Sequence, residues 1–252
     1  MHPLNRLLSL FGLQLSKINK HVTQIDEKEK EFRQRYDEYY KLAEGNKRGF
    51  KTTRAYRYQI GQHPSKTQDL EFEFAAHHIH QMNPLNILDI GSYRHFILGL
   101  LSHYNVTTLD IRERRSNLGN ENIVTCDAKA LEFADNFFDS VVSLEALPHF
   151  GLCRYGDQFD LDADLKAFNE MIRVLKPGGY LIFSTAITRA NPTIAFNARR
   201  NYSHAMIKEM CGRLECIEEK FINLRDRSFC LYDDITDDPN FLDYYIGCRE
   251  KT

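Results

Sequence analysis

The feature that most constrains the fold is a regular alternation of short apolar segments and longer amphipathic segments, which begins near residue 69. The apolar segments predict strands at 86–91, 106–111, 122–127, 138–144, 179–186, 214–223 and 243–249. The amphipathic segments predict helices over 69–82, 95–104, 161–175 and 202–213. Short strands of nearly unbroken apolar character need cover on both faces, so the pattern predicts an α/β fold with a mostly parallel sheet between helices.

The chain before this region is predicted to form one long helix over residues 4–44. Its apolar side chains recur at helical spacing, first aliphatic and then aromatic: Leu15, Ile18, Val22, Ile25, Phe32, Tyr36 and Tyr39. Such a stripe needs a partner surface, which the main domain, a second subunit or a membrane surface could supply. Packing within the chain or in a homodimer is favoured, because the segment lacks the basic charge that usually accompanies a peripheral membrane anchor.

The sequence therefore divides into a helical extension (1–44), a linker or cap (45–68) and a main α/β domain (69–252). Residues 45–67 carry lysines and arginines interleaved with aromatic residues, and no acidic residue. This composition suits a cap over a small anionic ligand, and it equally suits a solvated linker.

Composition excludes several classes of partner. The formal net charge of −2 gives no reason to expect a nucleic-acid or anionic-membrane partner. No apolar run is long enough for a transmembrane helix, and the N-terminal leucines lack a signal-peptide cleavage site. The six cysteines are scattered without a CxxC pair, which favours reduced thiols in a cytoplasmic protein.

Acidic side chains recur at the predicted carboxyl ends of successive strands. Asp89 precedes Gly91 at the first end, Asp110 lies at the second, Asp127 follows the third, and Glu145 follows the fourth. Ligands of open α/β sheets bind at this edge, and a carboxylate after the second strand can hold the two hydroxyls of a ribose. The spacing predicts a nucleoside-containing ligand, although a single acidic residue at a strand end can also cap a helix.

At these positions the sequence resembles class I S-adenosylmethionine-dependent methyltransferases. The motifs are NILDIG, TLDI, the strand that ends in CDA, FDSVVSLEALPHF and FNEMIRVLKPGGYLIFST, and LKPGG is the most specific of them. SYRHFILGLLSHYNVTTLDIR, HFGLCRYGDQFDLDADLKAF and FNARRNYSHAMIKEM further resemble a methyltransferase-like family of unknown function that is linked with bacterial surface-polysaccharide biosynthesis.

The resemblance implies a Rossmann-like fold with a seven-stranded sheet whose last strand is antiparallel. It implies S-adenosylmethionine (SAM) as cofactor, and it implies that the cofactor is bound by Asp89, Gly91, Ser92, Asp110, Asp127, Ala128, Leu144 and Glu145. The loop after the first strand departs from the family pattern, because Gly91 is followed by Ser92, Tyr93, Arg94 and His95 where further glycines are usual. SAM has no pyrophosphate to press against this loop, so bulky side chains there are compatible with binding.

The segment 145–164 is predicted to meet the methyl acceptor. Transfer to a hydroxyl needs a proton acceptor, and we expect His149 in this role because imidazole titrates near neutral pH, with Asp157 second. A hydrogen bond to the backbone is the alternative role for His149. The predicted substrate-binding residues are Arg154, Tyr155, Arg199 and Tyr202, and salt bridges or turn positions are the alternatives for the arginines.

No metal ligands are assigned. Asp160, Asp162 and Asp164 alternate as the ligands of a calcium loop do, but the glycine and the distal glutamate of an EF-hand are missing. A divalent ion is possible but unsupported by any motif, and the three aspartates suit a helix N-terminus.

The sequence thus predicts a SAM-dependent methyltransferase that acts on an oxygen of a small polar acceptor, such as a sugar or phosphorylated precursor of a surface glycan. The alternative is a non-catalytic, methyltransferase-like binding or scaffold protein that assembles through its long helix. A nicotinamide oxidoreductase is disfavoured, because the glycines that would hold a pyrophosphate are absent and LKPGG is present.

Overall fold

The computed structural model describes residues 15–45, 51–57, 66–115, 118–236 and 242–252. The chain divides into two compact units, residues 1–64 and residues 65–252, and each is described by itself. Within the described residues, no helix is long and apolar enough to cross a membrane.

The described part of the first unit contains one helix, α1 (Leu15–Glu44), which lies inside the predicted range. The predicted start of this helix, residues 4–14, lies outside the described residues. Residues 51–57 contact part of the aromatic stripe, whereas Tyr39 stays exposed. The Phe32 and Tyr56 rings lie 5.9 Å apart, and the Tyr36 hydroxyl donates a hydrogen bond of 2.7 Å to the Ala55 carbonyl oxygen.

One arginine of the basic segment, Arg54, is paired within this unit. Arg54 Nη1 lies 2.6 Å from Asp37 Oδ1, and its guanidinium lies 4.3 Å from the centre of the Tyr40 ring. The charge of Arg54 is therefore balanced by α1.

The second unit contains the remaining elements. Its helices are α2 (Thr67–Met82), α3 (Arg94–Leu100), α4 (Ala163–Val174) and α5 (His204–Met210). Its strands are β1 (Asn86–Ile90), β2 (Asn105–Asp110), β3 (Glu121–Thr125), β4 (Phe138–Leu144), β5 (Leu175–Ile187), β6 (Thr193–Ala195), β7 (Arg199–Asn201), β8 (Leu214–Asn223), β9 (Ser228–Cys230) and β10 (Asp243–Lys251). Two short 3-10 helices lie at Leu147–His149 and Tyr232–Asp234.

The main sheet has the order β3-β2-β1-β4-β5-β10-β8-β9. Strands β1 to β5 pair in parallel, and β10 pairs antiparallel with both β5 and β8. The strand order reverses between β1 and β4, which places the expected ligand crevice at the carboxyl ends of these two strands.

The architecture is the Rossmann-like class I methyltransferase fold, as expected, but the predicted number of strands was wrong. The main sheet has eight strands, because the chain after β8 turns back and adds the short edge strand β9. A separate hairpin, β6–β7, occupies the segment before α5. Neither the three-residue β9 nor the three-residue strands of the hairpin are long enough to produce a clear period of two in the sequence.

The sheet has an apolar core on each face. Phe138, Phe168, Phe183 and Tyr245 belong to one, and Phe74, Ile79, Ile97 and Ile246 belong to the other. Full burial of one such side chain stabilises the fold by about 1.5–3 kcal/mol. The two cores together fix the strands whose carboxyl ends form the site.

Candidate functional site

One pocket lies at the carboxyl ends of β1, β2, β3 and β4. The pocket brings together eight of the predicted site residues: Gly91, Asp110, Asp127, Ala128, Glu145, His149, Tyr155 and Asp157.

Gly91 forms the turn that leaves β1. Its φ of +71° lies in the left-handed region, and a Cβ atom at this position would come within 2.9 Å of Ala146 Cβ. A larger residue would therefore strain the backbone and displace the chain after β4. The next residue, Ser92, is buried, and its Oγ accepts a 3.0 Å hydrogen bond from Leu144 N. The Ser92 hydroxyl thus ties the ends of β1 and β4 together.

Asp89 lies beneath this turn and is fully buried. Neither of its carboxyl oxygens has a hydrogen-bond partner. Burial raises the pKa of Asp89 to about 7, although Ser92 and the charge of Arg114 act in the opposite direction. A buried carboxylate without partners destabilises the folded state by several kcal/mol. Among the polar groups of the site, Asp89 therefore most clearly lacks a partner that compensates its charge.

Asp110 ends β2 and differs from Asp89 because it has a partner. Arg112 Nε lies 3.0 Å from Asp110 Oδ1, and Arg112 Nη2 lies 2.9 Å from Oδ2. Burial alone would raise the pKa of Asp110, but the side-chain and backbone hydrogen bonds of Arg112 hold this pKa below its usual value. The carboxylate is charged at neutral pH, and its remaining lone pairs can accept further hydrogen bonds.

The residues after β3 form another wall of the pocket. The backbone N–H of Lys129 donates a 3.0 Å hydrogen bond to Asp127 Oδ1, and Lys129 Nζ lies 3.4 Å from Oδ2. Ala128 is buried and offers a flat apolar surface, and Cys126 also lines the pocket. Burial raises the pKa of the Cys126 thiol, so it is uncharged at neutral pH.

His149 lies at the pocket, but its surroundings remove the reason for which it was expected to act as a base. Burial lowers its pKa to about 4, and the charges of Arg154, Arg199 and Arg200 contribute to the lowering. Nδ1 lies 2.6 Å from the Ala198 carbonyl oxygen, and the tautomer that donates this bond leaves Nε2 as the acceptor. At neutral pH His149 is an uncharged and weakly basic hydrogen-bonding group. Its proton-acceptor role stays a prediction.

Asp157, the second candidate base, also makes contacts within its own loop. Its Oδ1 accepts a 3.0 Å hydrogen bond from Tyr155 N, and its Oδ2 accepts one of 3.3 Å from Cys153 N. The Tyr155 ring lies between two guanidinium groups, with Arg112 at 4.4 Å and Arg154 at 5.1 Å from its centre. Tyr155 therefore links the Asp110–Arg112 pair to the loop that carries His149.

Several predicted residues do not line this pocket. Leu144 is buried in the core, and Arg154 Nη1 donates a 3.1 Å hydrogen bond to the Ala198 carbonyl oxygen. Arg199 Nε lies 3.3 Å from Asn201 Oδ1. Tyr202 is buried at a different cavity, where its hydroxyl donates a 2.7 Å hydrogen bond to Asp164 Oδ2. The structure therefore gives Tyr202 a position in the core away from the pocket.

Two of the three aspartates that suggested a metal loop, Asp160 and Asp164, have protein partners. Asp160 Oδ2 lies 2.8 Å from Lys166 Nζ and 3.4 Å from Lys129 Nζ. Asp164 accepts the hydrogen bond of Tyr202 and lies 3.4 Å from Arg200 Nε. In the part of the chain that the structure describes, no group of three His, Cys, Asp or Glu side chains is arranged to hold a metal ion.

Sequence reasoning missed a second acidic group beside the pocket. Glu71, on α2, is fully buried, and neither of its carboxyl oxygens has a hydrogen-bond partner. Gln68, one turn earlier on α2, donates a 3.1 Å hydrogen bond from Nε2 to Glu145 Oε2. A signal was present, because residues 71, 74, 75 and 78 share one helix face, and Glu71 therefore lies on the face that carries the buried Phe74 and Ala75.

Comparison with known proteins agrees with this architecture. Residues 88–183 match a family model described as a methyltransferase domain. A malonyl-[acyl-carrier protein] O-methyltransferase of Marinomonas sp. is 34% identical over 131 residues, which are 45% of this chain and 44% of that protein. A ubiquinone/menaquinone biosynthesis C-methyltransferase of Pasteurella multocida is 40% identical over 87 residues, 33% of this chain and 28% of that protein. The chain thus spans less than half the length of these relatives.

Solved structures show the same fold at low sequence identity. The Burkholderia thailandensis 1,6-didemethyltoxoflavin-N1-methyltransferase, solved with S-adenosylhomocysteine, superposes with a TM-score of 0.55 at 16% identity over 74% of this chain and 80% of that one. The [4+2]-cyclase SpnF also gives a TM-score of 0.55 at 16% identity, over 73% of this chain and 80% of that one. A cyclase among these structures shows that the fold does not fix the reaction.

Proposed function

We propose that this protein is a SAM-dependent methyltransferase that acts on a small-molecule acceptor. The observation that carries the proposal is the convergence of Gly91, Asp110 and Ala128 on one pocket at the point where the strand order reverses. The match of residues 88–183 to a methyltransferase domain supports it.

The residues of the pocket fit the chemical groups of SAM. The carboxylate of Asp110 suits the two ribose hydroxyls, and the apolar side of Ala128 with the Asp127 loop suits an adenine ring. Asp89, which is buried behind the turn at Gly91 and does not itself line the pocket, is the proposed partner of the α-ammonium group, since both of its carboxyl oxygens lack partners. The close turn at Gly91 leaves room for the methionine portion. When bound, SAM supplies a methyl group on a positively charged sulfur.

The acceptor is proposed to carry a hydroxyl group, as a sugar or phosphorylated glycan precursor does. His149, Tyr155 and Asp157 line the pocket beside Glu145 and are the residues in a position to contact such an acceptor. Arg154 and Arg199 lie near His149 and would supply positive charge for an anionic acceptor. The curated relatives include an O-methyltransferase and C-methyltransferases, so the reacting atom of the acceptor is itself part of the proposal.

Assembly and location are further proposals. A homodimer through the N-terminal helix remains our proposal, and Tyr39 and Tyr56 are exposed apolar side chains in the described part of this unit. Removal of residues 1–44, followed by measurement of the mass in solution, tests this contact. A cytoplasmic location is proposed because all six cysteines are free.

Calorimetric titration with SAM and with S-adenosylhomocysteine (SAH) tests the main proposal. We expect saturable binding of both ligands in the wild-type protein. Asp110→Ala should weaken SAM binding at least about a hundredfold, because charge-assisted hydrogen bonds contribute about 1.5–3 kcal/mol each. Asp226→Ala, an exposed aspartate on the turn after β8, is the matched control and should bind normally. Absence of binding at millimolar ligand would reject the proposal.

A non-catalytic binding or scaffold role is the second candidate. The observation that favours it is the bidentate pairing of Asp110 with Arg112, which uses an internal cation at the position that a ribose would need. The same titration separates the two candidates, since a scaffold that has lost the cofactor site would give no heat with either ligand.

A further inference from the structure

Glu71 and Glu145 form an acidic pair beside the pocket, since Gln68, one turn before Glu71 on α2, contacts Glu145, and neither carboxyl group has a cationic partner among its hydrogen bonds. Glu71 comes from α2 and is fully buried, and both of its oxygens lack partners. Glu145 follows β4, lines the pocket, and also has one oxygen, Oε1, without a partner. The hydrogen bond that Glu145 accepts comes from the neutral amide of Gln68.

The groups around the pair are polar but uncharged at neutral pH. They come from each element that meets the pair, and they are Gln68 on α2, Tyr93 after β1, Ser184 on β5 and Tyr244 on β10. Burial and the nearby charge of Glu145 raise the pKa of Tyr93 to about 12 and the pKa of Tyr244 further. The positive charge of Arg199 acts on Tyr244 and partly opposes the rise of its pKa.

Glu71 is fully buried, and burial together with the charge of Glu145 raises the pKa of Glu71 well above its usual range. Two interacting carboxyl groups in a buried site are not both charged without a cation beside them. Glu71 therefore favours its protonated form while no cation is present. This proton is held until a positive charge enters the pocket that Glu145 lines.

We propose that the Glu71–Glu145 pair releases its proton when the sulfonium charge of SAM enters the pocket, and that Glu145 then accepts the proton of the acceptor hydroxyl. The inference rests on the proposed function. It assigns Glu145 as the catalytic base and Glu71 as a positioning residue that holds the proton in the resting state. It also explains why the pocket needs no strongly basic histidine.

The cycle balances in atoms, electrons and protons. Cofactor binding releases one proton from the pair to solvent. The acceptor O–H bond then breaks, its proton passes to Glu145, and the acceptor oxygen forms a bond to the methyl carbon. The electron pair of the broken carbon–sulfur bond stays on sulfur, which leaves uncharged SAH. The pair again holds one proton, as it did at the start.

A comparison of SAM with SAH distinguishes the proton released by the Glu71–Glu145 pair from protons released elsewhere in the protein. Both ligands carry the same α-ammonium group, so any proton lost from Asp89 is lost equally with either ligand. Only SAM carries the sulfonium charge. Calorimetry in two buffers of different ionisation enthalpy counts the protons released on binding, and about pH 6.5 is suitable because α-amino groups keep their proton there.

We expect SAM to release up to about one proton more than SAH in the wild-type protein. Glu71→Gln should abolish this difference and retain binding, and Glu145→Gln should do the same. Glu73→Gln, an exposed glutamate two residues along the same helix, is the matched control and should keep the difference. The ratio of SAM affinity to SAH affinity should also rise with pH in the wild type, by up to about tenfold per pH unit.

Equal proton counts for SAM and SAH in the wild type would overturn the proposal, and so would a difference that persists in Glu71→Gln. The wild-type count decides whether a proton is released, even if a variant fails to fold. Failure of both ligands to bind would instead reject the proposed function, so the two failures are distinguishable.

Discussion

The acidic side chains at the carboxyl edge of the sheet fall into two groups, those held by a cation and those left without one. Asp110 is partly exposed and paired with Arg112, and its pKa is lowered overall. Asp89 and Glu71 are fully buried without partners, and burial raises the pKa of both. The paired group keeps its charge before any ligand arrives, whereas burial favours the protonated form of the unpaired groups until a cation enters.

The difference between the two groups shows how one edge of a sheet can bind a cationic nucleoside. A ribose is neutral and needs an acceptor that is already charged. Arg112 keeps Asp110 charged, although its guanidinium also occupies lone pairs of Asp110 that the ribose hydroxyls would use. The ammonium and sulfonium groups are cations and can provide the missing counter-charge themselves. The unpaired carboxyl groups reduce stability in the free protein, and this cost is offset when the ligand binds.

The largest expected effect is a change in the free energy of unfolding when Asp89 is substituted. A rise of its pKa from 3.8 to about 7 corresponds to about 4 kcal/mol. Because the folded-state pKa is raised, this contribution to stability is present below about pH 4 and is lost as the pH rises to about 7. Asp89→Asn should therefore be more stable than the wild type at pH 7, by up to about 4 kcal/mol, and similar near pH 4.

Urea denaturation of both proteins across this pH range measures the effect at Asp89. The difference between the two proteins isolates this group, because other carboxyl groups titrate equally in both. A difference that does not change with pH would show that Asp89 is charged, or compensated, in the free protein.

A smaller effect is expected when the paired group is changed. Asp110→Asn keeps the shape of the side chain, removes its charge and should weaken SAM binding about tenfold to a hundredfold. Its stability should fall by no more than about 1 kcal/mol, because Arg112 is more than half exposed and such pairs contribute little. Calorimetry and urea denaturation of the same preparation check both expectations. A large loss of stability with normal SAM binding would contradict the account, because Asp110 would then stabilise the free protein and not bind the ligand.

The smallest effect is expected at Arg112. Arg112→Gln frees the lone pairs of Asp110 that the guanidinium occupies, so SAM affinity at neutral pH should rise severalfold. The pKa of Asp110 should rise, because the hydrogen bonds that lower it are lost. As the pH is lowered, SAM binding should therefore begin to weaken at a higher pH in this variant than in the wild type. Titrations near pH 5 and pH 7 test both points. A fall in affinity at neutral pH would indicate that Arg112 itself contacts the ligand.

Much of the frame of the site could be predicted from the sequence. The carboxyl ends of parallel strands meet at one edge, so Asp110, Asp127 and Glu145 could be placed together without knowledge of their side-chain contacts. The seven longer strands were also predicted, because each has a clear apolar pattern in the sequence.

The partners of these residues could not be predicted, because they come from tertiary contacts. Nothing in the sequence near His149 shows that Ala198, 49 residues later, faces its ring. The pKa of His149 near 4 depends on this burial and on three arginines from two segments. Tyr202 was likewise expected at the substrate, but the fold directs it to Asp164 in the core.

Glu71 is an intermediate case. Its position on the buried face of α2 follows from helical spacing, so a buried charge could have been predicted. That it faces Glu145 depends on how α2 packs against the ends of β4 and β10, which the spacing does not specify.

The most direct test of the central claim is a crystal structure of the full chain with SAH. The account predicts that the ribose hydroxyls contact Asp110, that the ammonium group lies near Asp89, and that the sulfur faces the side of the pocket formed by Glu145. A ligand bound elsewhere, or an Asp110 that contacts only Arg112 in the complex, would contradict it.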